Sequence, residues 1–237
     1  MGTPSNPFTL ASWRREVAEL YAGMRNTAQR DPKLAAAQFR AGRDSLILHH
    51  PESPFTHDIL AAFKGIDYFP YDPAWRLTGT IDRDVERYQF QIDLAADGVL
   101  RCTRAGVVRF QYGATELALS VFWMEGYGGG LWLPFGDTTN NTETYGGGRY
   151  LYDSIKGADL GAGTDPPGDT MLLDFNFAYN PSCAYDHRWS CPLAPPENRL
   201  PLPVRAGERA SRRAGVSRTL SASGLPDTAI PPSRMSR

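Results

Sequence analysis

The feature that most narrows the fold is a change of hydrophobic period near Tyr68. Before it, Trp13, Val17, Leu20, Tyr21 and Met24 recur at helical spacing with Arg and Glu opposite, which predicts an amphipathic helix over 10–29. Asp31-Pro32 then offers an N-cap followed by proline at the first helical position, so KLAAAQFRAGRDSLILHH continues as a second helix until Pro51 and Pro54 stop it. A short helix from Thr56 to Phe63, closed by Gly65, completes the helical part.

After Tyr68 the period shortens towards two. The runs 75–81, 86–94, 99–103, 107–112, 116–124, 131–135, 149–152 and 171–175 are short and aromatic or β-branched, and Gly, Asp and Pro divide them. Asp97-Gly98 is a hairpin signal because both central positions of a type I′ turn need positive φ, and Ala105-Gly106 is a weaker one. Helices first and strands afterwards predict an α+β fold: N-terminal helices packed on a mostly antiparallel β-sandwich or partly closed β-barrel. The expected organisation is a helical segment over 1–66 packing on a β-rich core over 67–208, the two forming one domain, followed by a disordered Arg/Ser-rich tail over 209–237.

Charge separates that tail from the rest. Residues 204–237 hold seven Arg against Glu208 and Asp227, a balance of +5, while the whole chain carries −1. The tail has no aromatic residue with which to stack bases, so it reads as solvated and gives no case for nucleic acid. No run approaches the ~20 apolar residues of a membrane span, and the N-terminal stretch lacks the apolar core of a signal peptide. Three Cys, an odd number, argue against a disulfide framework. The expected location is the cytoplasm.

Polar chemistry is concentrated between Leu133 and Leu200. Asp137, Glu143, Tyr145 and Arg149 share one glycine-containing connection, where an Arg beside acids and a Tyr suits a carboxylate or phosphate ligand. Asp174 and Asn176 fall on one face of an extended chain, with Tyr179 shortly after. These seven residues are the expected ligand-binding set. The competing reading of the same residues is a structural knot, with Arg149 paired to Glu143 or Asp174. Cys183, His187 and Cys191, spaced by four, suit zinc only on a continuous helix, which Pro181 and Pro192 disfavour. A Cys183–Cys191 disulfide and a Cys183 nucleophile with His187 as base are two further options, and no metal site is expected.

Several of these pieces together resemble an uncharacterised bacterial and archaeal family called domain of unknown function 1684. They are Phe69-Pro70-x-Asp72-Pro73 with Arg76, Pro134-Phe135-x-Asp137-x-Thr139, and Glu143-Thr144-Tyr145-Gly146 with Gly148-Arg149-Tyr150. The series continues with Leu173-Asp174-Phe175-Asn176, Ala178-Tyr179-Asn180-Pro181-x-Cys183, Cys191-Pro192 and Glu197-Asn198-Arg199-Leu200. The resemblance runs from about Trp13 to Glu208 and implies no activity. One departure is Asn141, where the family tends to place glycine; asparagine still tolerates the left-handed backbone.

The function expected is binding of a small polar or anionic ligand in a pocket of the β-rich domain, with neither nucleic acid nor membrane as partner. One alternative is a hydrolase-like enzyme in which Asp137, Glu143 or Asp174 is the general base and Arg149 stabilises developing charge. Another is a purely structural cluster in a protein that acts through a protein partner. The residues specify neither a cofactor nor an oligomeric state, and they leave catalysis open.

Overall fold

A computed structural model describes residues 6–94, 98–161 and 168–211. Three helices come first: α1 (Pro7–Ala28), α2 (Pro32–His49) and α3 (His57–Ala61). Asn6 and Asp31 cap the first two by accepting from Phe8 N and Leu34 N, each with proline at the next position. Val17, Tyr21, Met24 and Ala28 bury one stripe of α1. Phe39 of α2 joins that stripe to the rest of the core, packing edge-on at 5.0 Å against both Tyr21 and Phe177. Among the described residues no helix is long and apolar enough to cross a membrane.

Seven strands follow: β1 (Arg76–Asp82), β2 (Gln89–Asp93), β3 (Val99–Tyr112), β4 (Thr115–Met124), β5 (Gly130–Phe135), β6 (Arg149–Asp153) and β7 (Thr170–Asp174). They form one antiparallel sheet in the order β6-β5-β4-β3-β1-β7, with β2 also paired to β3. The sheet curls into a half-barrel, so of the two expected arrangements the partly closed barrel is the one formed. Tyr152 Oη donates to Leu172 O at 2.7 Å, joining the two outermost strands in that order, β6 and β7, across the opening.

Ala105-Gly106 is not a turn. It lies inside the fourteen-residue β3, where the register against β4 shifts between Arg104 and Gly106. The bulge separates the half of β3 that pairs with β2 from the half that pairs with β1. A bulge bends its strand and increases local twist, which lets one long strand serve two neighbours. Asp97 of the expected hairpin lies outside the described residues, but Leu94 N donates to Gly98 O and β2 pairs β3 antiparallel. Most of the expected tail, from residue 212 onward, also lies outside them.

Period-two alternation separates two apolar clusters. Val121, Leu133 and Leu151 join the main core with Phe135, Phe175 and Phe177. Their chain neighbours Phe122, Trp132 and Tyr150 form the second cluster with Cys102 and Met124. Beyond β7 the chain is irregular and is tied down by side chains. Buried Asn198 accepts from Ser120 N and donates to Ser120 O and Pro134 O, all within 2.7–2.8 Å.

Candidate functional site

Arg149 opens β6, and its side chain is wholly enclosed. Nη2 donates to Asp137 Oδ2 at 2.9 Å and to Val204 O at 2.8 Å, while Nη1 donates to Ala206 O and to Glu208 O. Its face lies 5.0 Å from the Phe135 ring. Burial pushes its pKa down and the Asp137 carboxylate opposes that shift. Asp137 is equally enclosed, and its Oδ1 accepts from Thr139 N and Thr139 Oγ1. The expectation that Arg149 offers charge to a ligand is therefore corrected: its Nη groups are taken up by Asp137 and by three carbonyls of the segment 204–208. Its role is to clamp that segment onto the barrel.

The clamped segment delivers Glu208 to the interior. Glu208 N donates to Ala178 O and Phe69 N donates to Gly207 O. Gly207 has φ +75, and a Cβ there would stand 2.5 Å from Ala178 O, so the approach needs glycine. The Glu208 carboxylate accepts from Arg43 Nε at 2.6 Å, from Asn180 N at 2.8 Å and from the Tyr185 and Tyr68 hydroxyls.

Arg43 comes from α2 and lies with its guanidinium 5.0 Å from the Tyr179 ring centre. Burial works against its charge, but Glu208 and the surrounding tyrosines outweigh burial and hold the guanidinium well above its ordinary pKa. Arg43 lines a cavity of about 70 Å³ between the helices and the barrel. Tyr21 and Val17 of α1, Tyr150, Lys156, Tyr179 and Tyr185 form much of the rest of its wall. Among the described residues no Asp or Glu lines it. Among the described residues no hydrogen bond engages the Nη groups of Arg43 or the hydroxyls of Tyr21 and Tyr179. Burial raises the pKa of both tyrosines, which keeps those hydroxyls protonated as donors.

Of the seven residues expected to bind ligand, Tyr179 alone lines one of the described cavities. Asp174 is fully buried and accepts from Arg76 Nη1 at 2.7 Å and from Asn176 N and Nδ2. Burial raises its pKa, with Arg76 and Asn176 opposing. Asn176 in turn exchanges hydrogen bonds with Asp72 N and Asp72 O, fastening the loop before β1 to the end of β7. Glu143 is paired at the surface with Arg205 Nη2 at 2.8 Å, and that bond holds its pKa below the ordinary value. Tyr145 Oη lies 3.5 Å from Cys183 Sγ. Arg149 and Asp174 belong to opposite ends of the strand order, each with its own partners, because each secures a different piece of irregular chain.

None of the three carboxylates fits the general-base role. Asp137 and Asp174 are sealed by their partners, and Glu143 is tied to Arg205, which lowers its pKa and makes it a weaker base. The zinc spacing is also dispersed, since His187 projects fully into solvent while Cys183 and Cys191 turn inward. Among the described residues no group of three His, Cys, Asp or Glu side chains is placed to hold a metal.

Arg43 and Glu208 are the residues that sequence reasoning missed. Arg43 follows the polar positions of α2 and reads as a solvated charge, and Glu208 stands at the compositional boundary of the tail. One signal was present: Glu208 stands between Arg205 and Arg209 and directly after Gly207, the pattern of a carboxylate brought into close backbone contact.

The family model described as protein of unknown function (DUF1684) matches residues 61–209, and the chain belongs to that family. The match begins after α2, later than the span expected from the residues. A solved structure similar to this chain is the solution NMR structure of an uncharacterized protein from Haloarcula marismortui, 31% identical, with a TM-score of 0.56. The likeness covers 78% of this chain and 96% of that one. No curated protein matches the chain.

Proposed function

We propose that this protein binds a small anionic ligand in the cavity between α1, α2 and the half-barrel. One observation carries the reading: Arg43, Tyr21 and Tyr179, whose Nη and hydroxyl donors have no protein acceptor among the described residues, line one cavity together, and no Asp or Glu among those residues lines it. An anion placed among these donors satisfies them together, with the charge-assisted bonds of a guanidinium. Drug-sized pockets measure ~300–1,000 Å³, so a 70 Å³ space suits a ligand of a few heavy atoms, such as a phosphate or a short carboxylate. Glu208 fixes one edge of the guanidinium, so its orientation is set before the ligand arrives.

Thermal unfolding with inorganic phosphate, sulfate and small carboxylates tests this reading. Sulfate and phosphate stabilise proteins generally by exclusion from the surface, so the Tyr21→Phe/Tyr179→Phe variant, which lacks only the two hydroxyls, is the control. A specific ligand at 100 times its Kd stabilises the wild type by about 2.7 kcal/mol. The variant is expected to lose most of that increment. Equal stabilisation of both proteins by every anion would overturn the proposal.

A further inference from the structure

The geometry points to a second site, adjoining the anion cavity through Lys156 and Ser182: Cys191 and Cys183 form a reactive dithiol that reduces a hydroperoxide and closes an intrachain disulfide. The pair lies in the irregular chain after β7. Cys183 N donates to Cys191 Sγ at 3.4 Å, which brings the two cysteines side by side. Cys183 occupies the 3-10 turn Ser182–Ala184, which turns its amide towards Cys191 Sγ. Lys156, at the end of the turn following β6, adds positive charge, and Tyr145 Oη is 3.5 Å from Cys183 Sγ on the other side. Both cysteines are half-buried, whereas Cys102 is enclosed in the sheet's second apolar cluster.

These contacts give the two sulfurs different roles. The neighbouring Cys183, its amide and the charge of Lys156 favour the thiolate at Cys191 and pull its pKa below the ordinary thiol value. Cys183 is shifted the other way by the neighbouring Cys191 and by burial, so it remains the protonated partner. An amide donor and a nearby cation are surroundings that make a cysteine nucleophilic, and a second thiol beside it makes the product a disulfide.

In the first step the Cys191 thiolate attacks the distal oxygen of the hydroperoxide. The O–O bond breaks, an S–O bond forms, and the departing alkoxide or hydroxide takes up a proton as alcohol or water. Cys191 is then a sulfenic acid, oxidised by two electrons. In the second step Cys183 sulfur attacks Cys191 sulfur; the S–O bond breaks and the leaving hydroxide combines with the Cys183 proton as water. Two thiols and one hydroperoxide thus become one disulfide, one alcohol or water, and one further water.

The test uses the full-length reduced protein, treated with hydrogen peroxide at pH 7 and mapped by peptide mass spectrometry without reduction. The wild type is expected to lose two hydrogens and give a linked Cys183–Cys191 peptide, with Cys102 unmodified. Cys183→Ser is expected to stop at a sulfenic acid on Cys191 that dimedone traps. Cys191→Ser is expected to slow thiol loss about tenfold. Competitive alkylation of the wild type by limiting iodoacetamide, which needs no variant to fold, is expected to label Cys191 before Cys183. Labelling of Cys183 first, absence of the linked peptide, or oxidation of Cys102 at the same rate would each overturn the assignment.

Discussion

Arg43 and Glu208 lie 165 positions apart in sequence and meet at 2.6 Å, one on a helix that precedes the sheet and the other in a segment that follows it. Three links run outward from this contact. Arg149 clamps the segment 204–208 onto the barrel, the segment presents Glu208, and Glu208 orients Arg43 in the cavity. The buried Arg149–Asp137 pair is therefore architecture in the service of a different guanidinium.

Glu208→Gln leaves Arg43 largely buried without a counter-charge. Removing one partner of a buried pair costs about 3–5 kcal/mol, because the remaining charge stays desolvated. Urea denaturation is expected to show a loss at the lower end of that range, since the amide oxygen still accepts. Tyr185→Phe deletes one of the carboxylate's donors and is expected to cost about 1 kcal/mol.

Arg149→Met keeps most of the side-chain volume while stranding Asp137 and freeing the carbonyls of Val204, Ala206 and Glu208. A loss of about 3–5 kcal/mol is expected on the same physical ground. Hydrogen exchange is expected to report the consequence as faster exchange at the amides of Phe69 and Glu208, which depend on the clamped segment. A destabilised variant with unchanged protection there would separate Arg149 from the segment.

Gly207→Ala forces a Cβ against Ala178 O at a positive φ. The strain is expected to cost about 1–3 kcal/mol. Because the displaced segment carries Glu208, anion-induced stabilisation is expected to weaken as well.

The acid titrations of Asp174 and Glu143 are expected to run in opposite directions. Burial raises Asp174, so the fold holds its proton more tightly than the unfolded chain does. That contribution to stability is full below the unfolded value and is lost as pH rises through the folded one. Glu143 is lowered by Arg205, so its contribution is present above the unfolded value and is lost as pH falls through the folded one. Carboxyl-carbon NMR is expected to place Asp174 above and Glu143 below their ordinary values. Added salt is expected to move only Glu143, since its partner is at the surface.

Much of this architecture was legible because it rests on local rules. The caps at Asp31 and the proline after it, the stripe from Val17 to Met24 and the alternation along β4 to β6 each follow from a repeat within a few residues. Asn141 adopts φ +66, as a turn position usually held by glycine requires. The bulge at Gly106 was not legible, since glycine marks a bulge and a turn alike and the choice depends on β1 and β2 sharing β3. The same limit governs the site. Density of Asp, Asn, Tyr and Arg between Leu133 and Leu200 signals buried hydrogen bonding, whether for a ligand or for irregular chain. Only the long-range placement of α2 and of residues 204–208 shows that Arg149 faces carbonyls and Arg43 faces a cavity.

The central claim concerns the Nη groups of Arg43, and guanidinium NMR during a phosphate titration reads them directly. The account predicts a saturable shift of the Arg43 signals that disappears in Tyr21→Phe/Tyr179→Phe, with Arg149 unmoved. Arg43 signals that stay in place while only surface arginines respond would contradict it.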